Sequence, residues 1–253
     1  MQSVSLHKIV QYCDQMLRTT EVADHDRAFN GLQVENRNGI QRIAAAVDAS
    51  LATIRLAIEA KASLLVVHHG LFWSAMHPWT STRYEAMRLL LENDLAIYSS
   101  HLPLDVHPKL GNNARLCSEL GLRELKPFFF ERGQHIGLQC RKRISISELQ
   151  ERVKNATGAK TLLIPGGPNN CQRIGVVTGG AGSEVKKAAA EGVDTFITGE
   201  GPHWTYSLAE ELGINVIYGG HYATETFGVK ALSEHLSGKF KLPWTFLDHP
   251  TGL

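Results

Sequence analysis

The chain has 253 residues, enough for one large or two modest domains, and its 43% hydrophobic and 20% charged residues are those of an ordinary globular protein. Lys and Arg total 26 against 25 Asp and Glu, so a net charge of +1 offers no global field for nucleic acid and argues against such a partner. No stretch approaches a membrane span and Met1 to Val10 lacks the long apolar core of a signal peptide, so we expect a cytoplasmic protein without a membrane partner.

Ser5 to Arg18 carries Leu6, Ile9, Val10, Cys13 and Leu17 at helical spacing, with Ser5 placed as N-cap. From Asp24 to Glu35 that pattern breaks, and Asn30-Gly31 signals a turn before Leu32-Gln33-Val34. Ile43 to Val47 reads as a strand, Ser50 to Lys61 as an amphipathic helix, and Leu64 to Val67 as a strand buried on both faces. These three make a βαβ unit, which should be right-handed with parallel strands. His68-His69-Gly70 follows at the carboxyl end of the second strand, where ligands bind in open α/β sheets. A helix over Tyr84 to Asn93 and a strand at Ala96-Ile97-Tyr98 lead into Ser99-Ser100-His101-Leu102-Pro103-Leu104-Asp105, which Pro103 makes a loop. Asn112 to Leu120 is helical and ends at Gly121.

Lys126 to Cys171 reads as a small α+β insertion. Phe128 to Phe130 and Ile136 to Cys140 form antiparallel strands, with Arg141-Lys142-Arg143 at a solvated turn or edge. A helix runs from Ser147, its cap, to Thr157, and Thr161 to Ile164 is a strand. Ile174 to Thr178 opens a second βαβ unit with a helix over Ser183 to Glu191 and a strand over Thr195 to Thr198. Between them, Thr178-Gly179-Gly180-Ala181-Gly182-Ser183 is either a phosphate cradle or a small-residue turn that lets helix pack on sheet. A helix over Trp204 to Leu212, a strand over Asn215 to Tyr218 and a closing helix over Phe227 to Leu236 complete the chain. The cysteines (Cys13, Cys117, Cys140, Cys171) form no close pair and read as reduced, small apolar residues.

The two βαβ units match in register. Counting 27 residues on from Arg42 and from Arg173 gives His69 and Glu200, each at the end of a second strand. Tyr98-Ser99-Ser100-His101 matches Tyr218-Gly219-Gly220-His221, and four residues after each histidine stands a carboxylate, Asp105 or Glu225. The expected fold is therefore α/β, with duplicated βαβ units related by a pseudo-twofold and a small α+β insertion. Its domains are 1–124 plus 220–253, a metal-binding α/β domain, and 125–219, which holds the second repeat and the insertion. Such symmetry would bring His101/Asp105 and His221/Glu225 together with His68 and His69. Imidazole and carboxylate without thiolate suit Zn, Fe, Mn, Co or Ni, and five or six ligands suit two ions better than one.

His68-His69-Gly70, His101 to Pro108 with Gly111-Asn112-Asn113, Gly199-Glu200, Gly220-His221-x-x-x-Glu225 and Asn30-Gly31-Leu32-Gln33-Val34 resemble the YbgI-like family. These are the Nif-three-like proteins that often carry the name GTP cyclohydrolase type 2. The resemblance implies two divalent metal ions per chain (Zn, Fe or Mn), ligated by His68, His69, Asp105, His221 and Glu225 within a toroidal homohexamer. His101 matches a family position as well. One departure is Tyr222, where close relatives often carry histidine. Two divalent ions exceed the charge of Asp105 and Glu225, which favours an anionic substrate, and they acidify water towards neutral pH. We therefore expect a metal-dependent hydrolase of a nucleotide or other phosphorylated metabolite, with Glu200, His203 and His101 as catalytic candidates. Ring opening of GTP at the purine C8 would suit it. The rival expectation is a non-catalytic, metal-stabilised ring that binds a partner.

Overall fold

The computed structural model describes residues 3–73 and 78–253, so Met1 and Gln2 of the Met1–Val10 stretch lie outside the described residues. The chain divides into two units, Met1–Leu104 with Gly228–His249 and Asp105–Phe227 with Pro250–Leu253. The sequence pattern places its divisions at 124/125 and 219/220.

In the first unit, helix α1 (Leu6–Leu17) buries Leu6, Ile9, Cys13 and Leu17, one stripe at helical spacing. Ser5 sits at its N-cap but makes no side-chain cap bond. Strand β1 (Gly31–Val34) precedes three parallel strands, β2 (Ile43–Asp48), β3 (Leu64–His69) and β4 (Ala96–Ser99). The order is β1-β4-β3-β2, with β1 antiparallel on the outer edge of β4. Helix α2 (Leu51–Glu59) starts in a capping box: Ser50 Oγ accepts the Thr53 N–H at 3.2 Å and Thr53 Oγ1 accepts the Ser50 N–H at 2.9 Å. Its Ile54 and Ala57 pack with Ala86 and Leu90 of α3 (Ser81–Glu92) over Ala44, Ala46, Leu65, Val67 and Ile97 of the sheet. Each fully buried Leu, Ile or Val side chain there is worth roughly 1.5–3 kcal/mol of transfer free energy.

Two expectations change here. Strand β3 does not stop at Val67 but continues through both histidines, because Asp48 and His69 are register partners and the Ala49 N–H reaches the His69 carbonyl at 2.8 Å. Leu102–Asp105 is a helical turn, α4, rather than a loop. Proline is tolerated in a first helical turn, where its missing N–H has no partner to lose.

In the second unit, α5 (Asn112–Glu119) leads to β5 (Lys126–Glu131), β6 (Gln134–Ser145), α6 (Ile146–Thr157), β7 (Leu162–Pro165) and β8 (Asn170–Val176). A 3-10 turn at Ala181–Glu184 precedes α7 (Val185–Ala190), β9 (Thr195–Thr198), α8 (Thr205–Leu212) and β10 (Asn215–Tyr218). The sheet order is β5-β6-β8-β9-β10-β7. Parallel β8-β9-β10 repeats the topology of β2-β3-β4, and antiparallel β7 flanks β10 as β1 flanks β4. The segment read as an insertion thus supplies β5, β6 and β7 to this sheet. Arg141-Lys142-Arg143 is not a turn: β6 runs through it, shifting register against β8 between Arg141 and Ile144. Ser145, not Ser147, caps α6, accepting the Glu148 N–H at 3.2 Å. Leu149 and Val153 of α6 pack with Leu116 and Leu120 against Ile174, Val176, Ile197 and Ile217.

Helix α9 (His221–Phe240) begins six residues before the Phe227 start that periodicity suggests, which puts Glu225 one turn beyond His221. After it, β11 (Trp244–Phe246) adds to β2 as a parallel outer strand. Among the described residues no helix is long and apolar enough to cross a membrane.

Candidate metal sites

The carboxyl ends of β3 and β4 in the first unit gather three imidazoles. Ring centroids of His68 and His69 lie 4.8 Å apart, of His68 and His101 4.9 Å, and of His69 and His101 5.6 Å. One ring nitrogen from each comes within 4.8 Å of the others, a spacing that fits a metal ion. Every Nδ1 of the three is already committed. His68 Nδ1–H donates to the Ser100 carbonyl at 3.0 Å, His69 Nδ1–H to Asp48 Oδ1 at 2.8 Å, and His101 Nδ1–H to Asp24 Oδ1 at 2.8 Å. A neutral imidazole so held carries its lone pair on Nε2, the arrangement that metal-ligating histidines adopt.

Asp24 is the most elaborated of these supports. Its carboxylate also accepts the Asn30 amide at 2.8 Å, the Leu102 N–H at 3.0 Å and the His25 N–H at 2.6 Å. Asn30 returns its own oxygen to the His101 N–H at 2.7 Å. Burial pushes the Asp24 carboxyl up, but the His101 hydrogen bond and charge, with those from Asn30 and His25, outweigh it and hold the group at about 2.

In the second unit, the first turn of α9 sets two donors side by side. His221 Nδ1–H donates to Glu200 Oε1 at 2.8 Å, and His221 Nε2 lies 3.2 Å from Glu225 Oε2. Burial pushes the His221 imidazole down, but the hydrogen bonds and charges of Glu225 and Glu200 outweigh it and raise the group to about 9. Glu225 is buried, whereas Glu200 is nearly half exposed. Gly179 and Gly180 face this pair: a Cβ on Gly179 (φ +74°) would collide with Glu225 Oε1, and one on Gly180 would sit 3.4 Å from the His221 ring. Asp105 is buried in the same unit, its Oδ1 accepting the Asn112 amide at 2.7 Å.

The structure therefore brings together His68, His69 and His101 at the strand ends of the first unit, and His221, Glu225 and Glu200 in the second. His101 stands among the histidine donors, and Glu200 stands behind His221 as its hydrogen-bond acceptor. His203 is exposed, its carbonyl accepting the Tyr206 N–H at 3.2 Å, and it is not among the grouped donors of the described residues. The glycine-rich loop favours the packing reading over the phosphate cradle. Its Thr178, Gly179 and Gly182 N–H groups already donate to Asn113 Oδ1, Thr224 Oγ1 and the Glu200 carbonyl. Sequence reasoning missed Asp24 and Asp48. Asp48 has a detectable signal, being the last residue of the strand that pairs with β3, but Asp24 lies in an unpatterned stretch. The donor set fits divalent ions: nitrogen and carboxylate oxygen, Nδ1 groups tied, and glycines where a side chain would fill the space.

The sequence and the fold are shared with known proteins. A Deinococcus radiodurans protein named GTP cyclohydrolase 1 type 2 homolog is 42% identical over 90% of this chain and 88% of its own length. A Pseudomonas aeruginosa protein of the same name is 36% identical over 98% of each chain. Among solved structures, a Thermus thermophilus protein superposes with a TM-score of 0.91 at 39% identity, covering 99% of this chain and all of its own. Protein ybgI, described as of unknown function, superposes at 0.89 with 35% identity over 99% of this chain and all of its own. Residues 4–251 match the Duf34/NIF3 (NGG1p interacting factor 3) family end to end, and the chain belongs to that family.

Proposed function

We propose that this chain is a divalent-metal-dependent hydrolase of a nucleotide or other phosphorylated metabolite, holding two divalent ions (Zn, Fe or Mn) and working as a homohexamer. The observation that carries the reading is that His68, His69 and His101 each give Nδ1–H to a carboxylate or carbonyl, so that each presents Nε2, while His221 gives Nδ1–H to Glu200 and sets Nε2 beside Glu225. His68, His69 and His101 would hold one ion, and His221 and Glu225, with Asp105, the other. Bound there, divalent ions would supply Lewis acidity, polarising the substrate and acidifying water towards neutral pH. The chain's own part is positioning and proton handling. Asp24 and Asp48 fix the rings of His101 and His69. Glu200 Oε1 fixes His221, and the carboxylate, nearly half exposed, receives a proton and passes it to solvent. The name carried by relatives makes GTP the first substrate to try.

The test is elemental analysis of protein purified without chelator, followed by a screen of nucleotides for hydrolysis before and after chelation. Metal content of about two ions per chain with turnover lost on chelation supports the reading. No uptake of Zn, Fe or Mn, or turnover that survives chelation, overturns it. Metal without turnover on any nucleotide favours the scaffold.

A further inference from the structure

The histidine cluster of the first unit has an aromatic neighbour that metal ligation does not require. Trp73 sets its indole 4.6 Å from the His101 ring at an interplanar angle of 77°, and 5.2 Å from the His69 ring at 59°. The His25 ring stands a further 6.2 Å away in edge-to-face contact. Trp73 nevertheless remains 39% exposed. The backbone leading to it is held by Gln33. Gln33 Oε1 accepts the Leu71 N–H at 2.7 Å while Gln33 Nε2 donates to the Phe29 carbonyl at 2.7 Å, and Gly70 lets that amide lie against the backbone.

We infer that the exposed part of Trp73 is the platform on which the flat ring of the substrate, a nucleobase, stacks beside the histidine cluster. This rests on the nucleotide reading above and names the group that recognises the base. Three observations support a heteroaromatic ring rather than an aliphatic or peptide partner. The platform is an indole, a flat π-surface set beside the imidazoles. It touches two of the three clustered imidazoles, so a ring lying on it is delivered to them. The described side chains around it (His25, His69 and His101) are themselves flat rings that meet it edge-on or tilted rather than stacking over it. Stacking on an aromatic side chain is tolerant of which base is present, because every base offers a π-face. Trp73 thus selects for a base without choosing among bases, and choice is left to hydrogen-bonding groups elsewhere.

The experiment measures calorimetric binding of guanosine 5′-monophosphate and of ribose 5-phosphate, which lacks the base, to the metal-loaded full chain and to Trp73→Ala and Trp73→Phe. Trp73→Ala should weaken guanosine monophosphate binding roughly ten- to a hundredfold and leave ribose 5-phosphate binding unchanged. Trp73→Phe should restore most of the loss, and metal content by elemental analysis should match the unsubstituted chain in both variants. Unchanged nucleotide affinity in Trp73→Ala overturns the inference. So does equal loss of both ligands, or loss of metal, either of which makes Trp73 a structural support of the histidines. An unsubstituted chain that binds guanosine monophosphate no better than ribose 5-phosphate overturns it too. Failure of the hydrolase reading is seen separately, as absent turnover in a chain that still binds the base through Trp73.

Discussion

Glu200 gives one carboxylate oxygen to His221 Nδ1–H and keeps a nearly half-exposed side chain. Glu200→Gln separates its two roles. Glutamine has the same shape and its amide oxygen can still accept that proton, so metal content and stability should stay near normal. It has no basicity, so turnover of the hydrolysed nucleotide should fall roughly 10²-fold or more. Loss of metal in parallel with turnover would assign Glu200 to orienting His221 alone. The donors themselves were legible in the sequence, because His68, His69, His101 and His221 stand at strand ends in two matched repeats and Glu225 follows His221 by one turn. Their supports were not. Asp24 reaches His101 across 77 residues with no periodicity between them, and the carbonyl of Ser100 carries no side-chain signature at all.

The loop between β8 and the 3-10 turn is set by small residues that approach the donors. Gly179→Ala places a methyl against Glu225 at a positive φ, so it should cost roughly 1–3 kcal/mol of stability and lower metal occupancy. Gly158→Ala is the control: its φ is +67° with nothing within 4 Å, so it should show only the backbone cost, about 1–2 kcal/mol, with metal content unchanged. Denaturant unfolding and elemental analysis of the pair check both statements. Asp94, at the turn after α3, accepts the Arg37 and Asn38 N–H groups at 2.8 and 3.0 Å and the Asn38 amide at 2.8 Å. Slight burial pushes its carboxyl up, but these hydrogen bonds outweigh it and hold it below the usual range. A lowered folded value means stability present above the unfolded pKa of about 4 and lost as pH falls through the folded one. Asp94→Ala should therefore cost about 1 kcal/mol at pH 7, the difference from the unsubstituted chain shrinking below pH 4 in urea titrations. Strand periodicity found β2 to β4 and β8 to β10 because their interiors are continuous apolar runs. It missed β11, three residues long and half-buried, and misread Arg141 to Arg143, whose charged side chains ride on a strand that shifts register.

At the scale of the molecule, the fold is two α/β units that share one topology, and the residue-level symmetry of the sequence was enough to anticipate it. Assembly was not legible from spacing. The homohexamer rests on family resemblance, and light scattering should give about six times 27.9 kDa; a monomer at micromolar concentration would refute it without touching the metal reading. Metal binding has its own signature in the whole chain. Each ion that binds the folded chain and not the unfolded one stabilises it by about 2.7 kcal/mol when the free ion stands a hundredfold above its Kd. For a chain of this size that is about 5–10 °C in Tm. Calorimetry should thus show chelated protein melting lower by about that amount for each ion removed, with recovery when Zn, Fe or Mn is returned. His221→Ala deletes one nitrogen donor beside Glu225 but leaves the three clustered imidazoles of the first unit, so its response to metal should be reduced, not abolished. His68→Ala should reduce it through the other set of donors. If chelation leaves Tm unmoved in the unsubstituted chain, the tied Nδ1 groups orient histidines for something other than a metal ion.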